Sequence, residues 1–380
     1  MPGFPIARLL GFEVRVHWSW FVVLAFVAVL ALGQIEAGAP ALGQALEWVI
    51  AGLVALGFFA GALVHDLAHA FVARRRGVRV EGFSVSFFGG TTPNDAAGDS
   101  ARSELAIAAA GPLVSMAVGA LLLGLAFGMA VLRTVDSLID LVFVLGLINL
   151  ALGLINFIPA YPLDGGRLVR ALVWARTGSP RQGSVWAARV GTVVGWAAVG
   201  VGVLVAVAGD ITNGLMLGLC GWLVTTSARG IVQQVGLEQL LDGVKVDDVM
   251  ERGVATVAPG LTIDTLAEQL LDGSTMSSAL PVVRGDELLG VIGISQVRRL
   301  ARRAWRGTRV EDVMVPLRRL SVLAPTDAVW PAVERIRRSG LDGLPVIGLE
   351  GLAGMLTRRA VALAIQARRT PGKAASPSVL

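Results

Sequence analysis

Six apolar stretches within the first 230 residues decide what this chain can fold into: 16–32, 48–73, 104–132, 138–157, 190–208 and 211–228. About 20 apolar residues cross a bilayer as a helix. Without water to take up backbone N–H and C=O groups, such segments must satisfy them internally, so helices are predicted. Hydrophobic residues make up 54% and charged residues 16%, against about 25% charged in a soluble domain. A polytopic α-helical membrane protein follows, with the lipid bilayer as its first partner. Trp18 and Trp20 at the opening of the first stretch fit an interfacial belt. No cleavable signal is expected, because that stretch follows Arg8 and Arg15 without a small-residue cleavage site.

Arginine distribution sets the expected orientation. Arg8, Arg15, Arg74 to Arg76, Arg167, Arg170, Arg176, Arg181, Arg189 and Arg229 alternate to one face of a six-span layout, with Arg133 the exception. A multi-pass protein of the cell membrane with both termini in the cytoplasm is predicted. The net charge of +5 rests almost wholly on arginine, with only Lys245 and Lys373. No basic run is interleaved with aromatics, so no nucleic-acid partner is expected. The lone cysteine, Cys220, excludes an intrachain disulfide framework and a cysteine zinc site.

Residues 78–103 break the helical pattern. Val78, Val80, Phe83, Val85 and Phe87 alternate as in strands and lead to Phe88-Gly89-Gly90. A membrane-associated β-hairpin or strand pair is predicted, since irregular backbone at that depth needs protein or a wet cavity beside it. The polar run 91–100 reads as a mobile loop. The segment 231–245 reads as a linker, and beyond it the chain repeats itself. Val246-Asp247-Asp248-Val249-Met250 returns as Val310-Glu311-Asp312-Val313-Met314, and Leu280-Pro281-Val282-Val283 as Leu344-Pro345-Val346-Ile347. Self-similarity at a fixed period marks a duplication. The expected domains are 1–230 in the membrane, repeats at 246–305 and 306–369, and a disordered tail at 370–380.

Chemistry concentrates in Val64-His65-Asp66-Leu67-Ala68-His69, inside the second stretch. Imidazoles at i and i+4 share one helical face and can share one metal ion. An acid directly after the first histidine can act on a metal-activated water. Ionisable groups at membrane depth are costly and are read as functional unless shown otherwise; the alternative is a hydrogen-bonded pair inside a helix bundle. A hydrolytic zinc site needs a third protein ligand. His17 is the only other histidine, and the only carboxylate in a comparable setting is Asp164, in Pro159-Ala160-Tyr161-Pro162-Leu163-Asp164-Gly165-Gly166-Arg167. His65, His69 and Asp164 would give an N2O set suited to zinc. His17 also reads as an interfacial polar residue.

Taken together, the histidine pair, Ala110-Gly111-Pro112, and Asn156 through Asp164-Gly165-Gly166-Arg167 resemble the site-2 protease family. Six spans followed by a cystathionine-β-synthase-type (CBS) pair resemble the subgroup containing the bacterial sporulation protease, as does Gly11 to Trp20. The resemblance implies a zinc-dependent endopeptidase that cleaves a protein within or beside its transmembrane helix, and a cytoplasmic α/β CBS pair. It implies His65, His69 and Asp164 as ligands of one catalytic zinc and position 66 as general base. Asn156 would hold the substrate backbone or oxyanion. Val85 and Phe87 would pair with an unwound substrate as an added strand, with Gly89 and Gly90 admitting its backbone. Substrates of the family include membrane-bound transcription regulators and remnant signal peptides.

Two departures stand out. The family carries Glu where this chain has Asp66, shorter by one methylene, or roughly 1.5 Å of reach; reduced activity, or a relative that binds transmembrane segments without cutting them, is the alternative. CBS pairs often hold adenine nucleotides with a Thr/Ser and an Asp three residues on. Those places read Gly293 with Gln296, and Thr357 with Ala360. Thr357 is thus the one nucleotide-binding candidate, and a homodimerising role for the pair is the other reading. A CBS-regulated transporter is a further alternative, although the six stretches show no paired repeats.

Overall fold

The computed structural model describes residues 3–9, 11–38, 43–78, 80, 82–85, 98–133, 135–271, 279–285 and 287–369. Two compact units divide at residue 235. The first opens with β1 (Phe4–Leu9) and β2 (Phe12–Val16), an antiparallel pair. Phe12, Val14 and Val16 alternate inward with Glu13 and Arg15 between them, and the inward set packs with Trp20 and Ala70. The helices α1 (Ser19–Gly38), α2 (Gln44–Arg75), α3 (Ala101–Val131), α4 (Asp136–Asn156), α5 (Asp164–Thr177), α6 (Pro180–Val207) and α7 (Ile211–Leu240) follow. Among the described residues, α2, α3, α4, α6 and α7 are long and apolar enough to cross a membrane, whereas the apolar part of α1, Ser19–Gly33, is shorter. This is a membrane protein.

Three features add to the expectations. The strand β3 (Gly82–Val85) pairs in parallel with β2, Glu13 to Gly82 through Val16 to Val85. The sheet order is β1-β2-β3. Alternation marks a strand but not its partner, and a parallel partner lies far away in sequence. Phe87, Gly89, Gly90, most of the 91–100 run and the 370–380 tail lie outside the described residues. A short amphipathic helix, α5, fills the stretch after Asp164. The 231–245 segment is the end of α7 as far as Leu240, followed by a turn.

Close packing of α3 on α4 depends on small residues. A Cβ at Gly119 would strike the Leu150 backbone, and one at Gly153 would strike the Pro112 carbonyl and Met116. Helix α2 ends at Arg76 and Gly77, whose φ of +85° lets Val78 N–H reach the Ala73 carbonyl at 3.1 Å.

The second unit is a duplicated α/β fold. β4 (Ala279–Arg284) pairs with β5 (Glu287–Gly293), which also holds β6 (Val315–Pro316), and β7 (Gly343–Gly348) pairs with β8 (Gly351–Thr357). Leu280 faces Ile292 as Leu344 faces Leu356, and the register shift at Val282/Val283 recurs at Val346/Ile347. Helices α8 (Ile263–Leu271) and α9 (Ile294–Arg298), the single turn α10 (Val310–Val313), and α11 (Val329–Ser339) and α12 (Arg358–Arg369) complete it. Two buried cores form, one joining Leu241, Val244 and Val246 to the second repeat, the other joining the first repeat to Val310.

Candidate metal centre

Three side chains from two helices converge on one point. His65 and His69 stand on adjacent turns of α2, both buried, and Asp164 is the first residue of α5. His65 Nε2 and His69 Nε2 each lie 3.1 Å from Asp164 Oδ2, and 3.2 Å from each other. Tetrahedral zinc, with bonds of about 2.0–2.1 Å, spaces its ligand atoms about 3.3 Å apart. The spacing therefore fits.

The remaining ring atoms say how the lone pairs are presented. His69 Nδ1 lies 2.7 Å from the Ile107 carbonyl. A carbonyl only accepts, so Nδ1 carries a proton and donates it, and Nε2 is left as a lone pair. His65 Nδ1 lies 2.9 Å from Ser115 Oγ. Such outer partners fix ring orientation in metal sites. Two imidazole Nε2 atoms and a carboxylate oxygen at this spacing could hold a metal ion, and the donor set suits zinc.

Why these segments meet is legible in small residues. A Cβ at Gly111 would strike Nε2 of both histidines, so the wall of the site is built on a glycine of α3. Cβ atoms at Gly165 and Gly166 would strike the Ile158 carbonyl and the Tyr161 backbone, so the double glycine lets α5 start tight against the 157–161 segment.

The other predicted residues are distributed as follows. Asp66, next to His65, stands within electrostatic reach of His69, His65 and Asp164. Asn156 ends α4 and donates one amide proton to the Leu152 carbonyl at 2.9 Å, leaving its second for another acceptor. Val85 ends β3. His17 is not in the trio: its Nδ1 accepts the Ser19 backbone N–H at 3.3 Å and lies 2.9 Å from Ser19 Oγ, at the start of α1. Thr357 is fully buried; its hydroxyl donates to Glu251 at 2.9 Å and accepts the Ala360 N–H at 3.1 Å. That hydroxyl is occupied within the protein. In the first repeat Gln296 Oε1 accepts the Gly293 N–H at 3.1 Å. The two halves of a capping box are thus split between the repeats.

Sequence reasoning missed Ser115, Ile107 and Glu104. Glu104, Ile107, Gly111 and Ser115 recur at helical spacing along α3, and all four are buried. That period was the available signal.

A model described as Peptidase family M50 matches residues 128–198, and the CBS domain model matches 246–303 and 310–367. Rip3 of Mycobacterium tuberculosis, named as a zinc metalloprotease, is 33% identical over 357 residues, covering 91% of this chain and 90% of that protein. The chain belongs to peptidase family M50, the site-2 proteases. Within this family, sll0528 of Synechocystis, also named as a zinc metalloprotease, is 28% identical over 95% of each chain. The solved site-2 protease of Methanocaldococcus jannaschii is 24% identical, covers 60% of this chain and 94% of its own, and superposes with a TM-score of 0.40. The M50 match runs from the end of α3 through α5 into α6 and so includes Asp164.

Proposed function

We propose that this chain is a zinc endopeptidase that hydrolyses a peptide bond within or beside the transmembrane helix of a protein substrate. One observation carries the reading: two imidazole Nε2 atoms and one carboxylate oxygen, from two helices, meet within 3.1–3.2 Å. His65, His69 and Asp164 would hold zinc, which when bound supplies a Lewis acid for the scissile carbonyl and acidifies water. Asp66 takes the proton of the attacking water on its carboxylate and returns it to the leaving amine. The second amide proton of Asn156 steadies the developing oxyanion. A helical substrate hides its carbonyls and has to unwind. β3 is the last strand of its sheet among the described residues, and its outer edge, ending at Val85, would receive the extended segment; Phe87, Gly89 and Gly90, the other proposed substrate contacts, lie outside the described residues. Arginine placement supports cytoplasmic termini.

The test is cleavage of a single-span substrate by the purified protein in bilayer discs. Chelation abolishes cleavage and zinc restores it; cleavage that persists in protein stripped of zinc overturns the reading. Asp66 favours a second reading, a zinc-loaded relative that captures transmembrane segments without cutting. Zinc-loaded protein that crosslinks to the substrate helix but leaves every substrate intact would establish it.

A further inference from the structure

We propose that Glu104 is a positioning residue that sets Asp164 at the metal centre by gripping α5 through Arg167 and Arg170. The inference rests on the zinc-site reading above. Glu104 lies in the first turn of α3 with no side-chain exposure, while Arg167 and Arg170 are 24% and 22% exposed. Arg167 donates to both of its oxygens, at 3.1 and 3.4 Å; Arg170 adds a contact at 3.3 Å, and Gly98 N–H donates to Oε2 at 2.9 Å. A buried carboxylate without partners is strongly unfavourable, so these contacts persist together or fail together.

Placement gives the network its role. Asp164, Arg167 and Arg170 are spaced at i, i+3 and i+6, on one side of α5. Rolling α5 enough to withdraw Asp164 would pull both guanidinium groups off Glu104. Asp164 follows a stretch without a regular helix, 157–163, so its position has to be fixed from within α5. The same face of α3 carries the Ile107 carbonyl that orients His69 and the Ser115 hydroxyl beside His65. One helix face, itself supplying no ligand, sets all three.

Buried ion pairs also occur as general structural contacts, so the test is a double-substitution cycle in zinc affinity. The full-length protein in bilayer discs is titrated with zinc against a competing chelator. Glu104→Gln, which keeps shape and removes charge, weakens zinc by about 10- to 100-fold, as losses behind a ligand do. In an Asp164→Ala background the same change alters affinity by less than about threefold, because the ligand it acts through is gone. Equal losses in both backgrounds, or no loss in the unaltered background, overturn the proposal. If Glu104→Gln is not recovered folded, Arg170→Gln enters the same cycle, removing one of the two cations. Failure of the unaltered protein to bind zinc overturns both this inference and the zinc-site reading; zinc binding with an additive cycle overturns this one alone.

Discussion

In the membrane unit, the hydrogen bonds around His65 and His69 engage Nδ1 and turn Nε2 outward, with Ile107 and Ser115 as partners. At the ends of β5 and β8 in the second unit, side chains cap the helices that follow: Gln296 Oε1 accepts the Gly293 N–H, and the Thr357 hydroxyl accepts the Ala360 N–H and donates to Glu251. Each unit contains a segment that matches a family model, residues 128–198 in the first and the two CBS repeats in the second. They differ in where the polar groups converge: both Nε2 atoms meet Asp164 at one point, whereas Gln296 and Thr357 each cap a separate helix. A core pattern shows which fold a chain adopts; polar atoms directed at a shared point show where a site can form.

The largest effect that would break this contrast is loss of a ligand. His69→Ala or Asp164→Ala should lower zinc affinity by more than the roughly 100-fold that outer partners control, while Asp66→Ala keeps zinc, as read by metal content of the purified protein. Next comes proton transfer. Asp66→Glu should raise the initial cleavage rate by about 10- to 100-fold, the scale of a 1 Å misplacement, and Asp66→Asn should remove cleavage, with zinc unchanged in both. Third is the outer partner: Ser115→Ala should weaken zinc by about 10-fold in a chelator titration. The smallest effect lies in the second unit. Thr357→Ala removes a helix cap and should lower the opening free energy of the first turn of α12 by about 1 kcal/mol, read as faster hydrogen exchange in the full-length protein. Gln296→Ala should do less, because Gln296 caps only the five-residue α9.

Much of this was legible in the residues, for physical reasons. Period and length mark a membrane helix wherever it lies, so α2, α3, α4, α6 and α7 sit near the apolar stretches. His65 and His69 declare themselves by spacing, and the duplication by its repeat. What the residues do not encode locally is partnership. Nothing near Gly82 names Glu13 as its neighbour, and nothing near Glu104 names Arg167, 63 residues on. The end of α7 was hidden for another reason: a helix leaving an apolar phase can continue through polar residues, so a change of composition near 230 is not the end of the helix. The amphipathic α5 was obscured by the prolines and glycines just before it.

The parallel register of β2 and β3 also fixes a parity. Val16 and Val85 are register partners in adjacent strands, so the chain leaves the sheet and returns to the same depth and side. The number of crossings between them must be even. Among the described residues only α1 and α2 lie between, and α2 is long and apolar enough to cross a membrane. An α2 that crosses would therefore require α1 to cross with it; the 20 residues of α1 are about 30 Å long, against a hydrocarbon layer of about 30 Å.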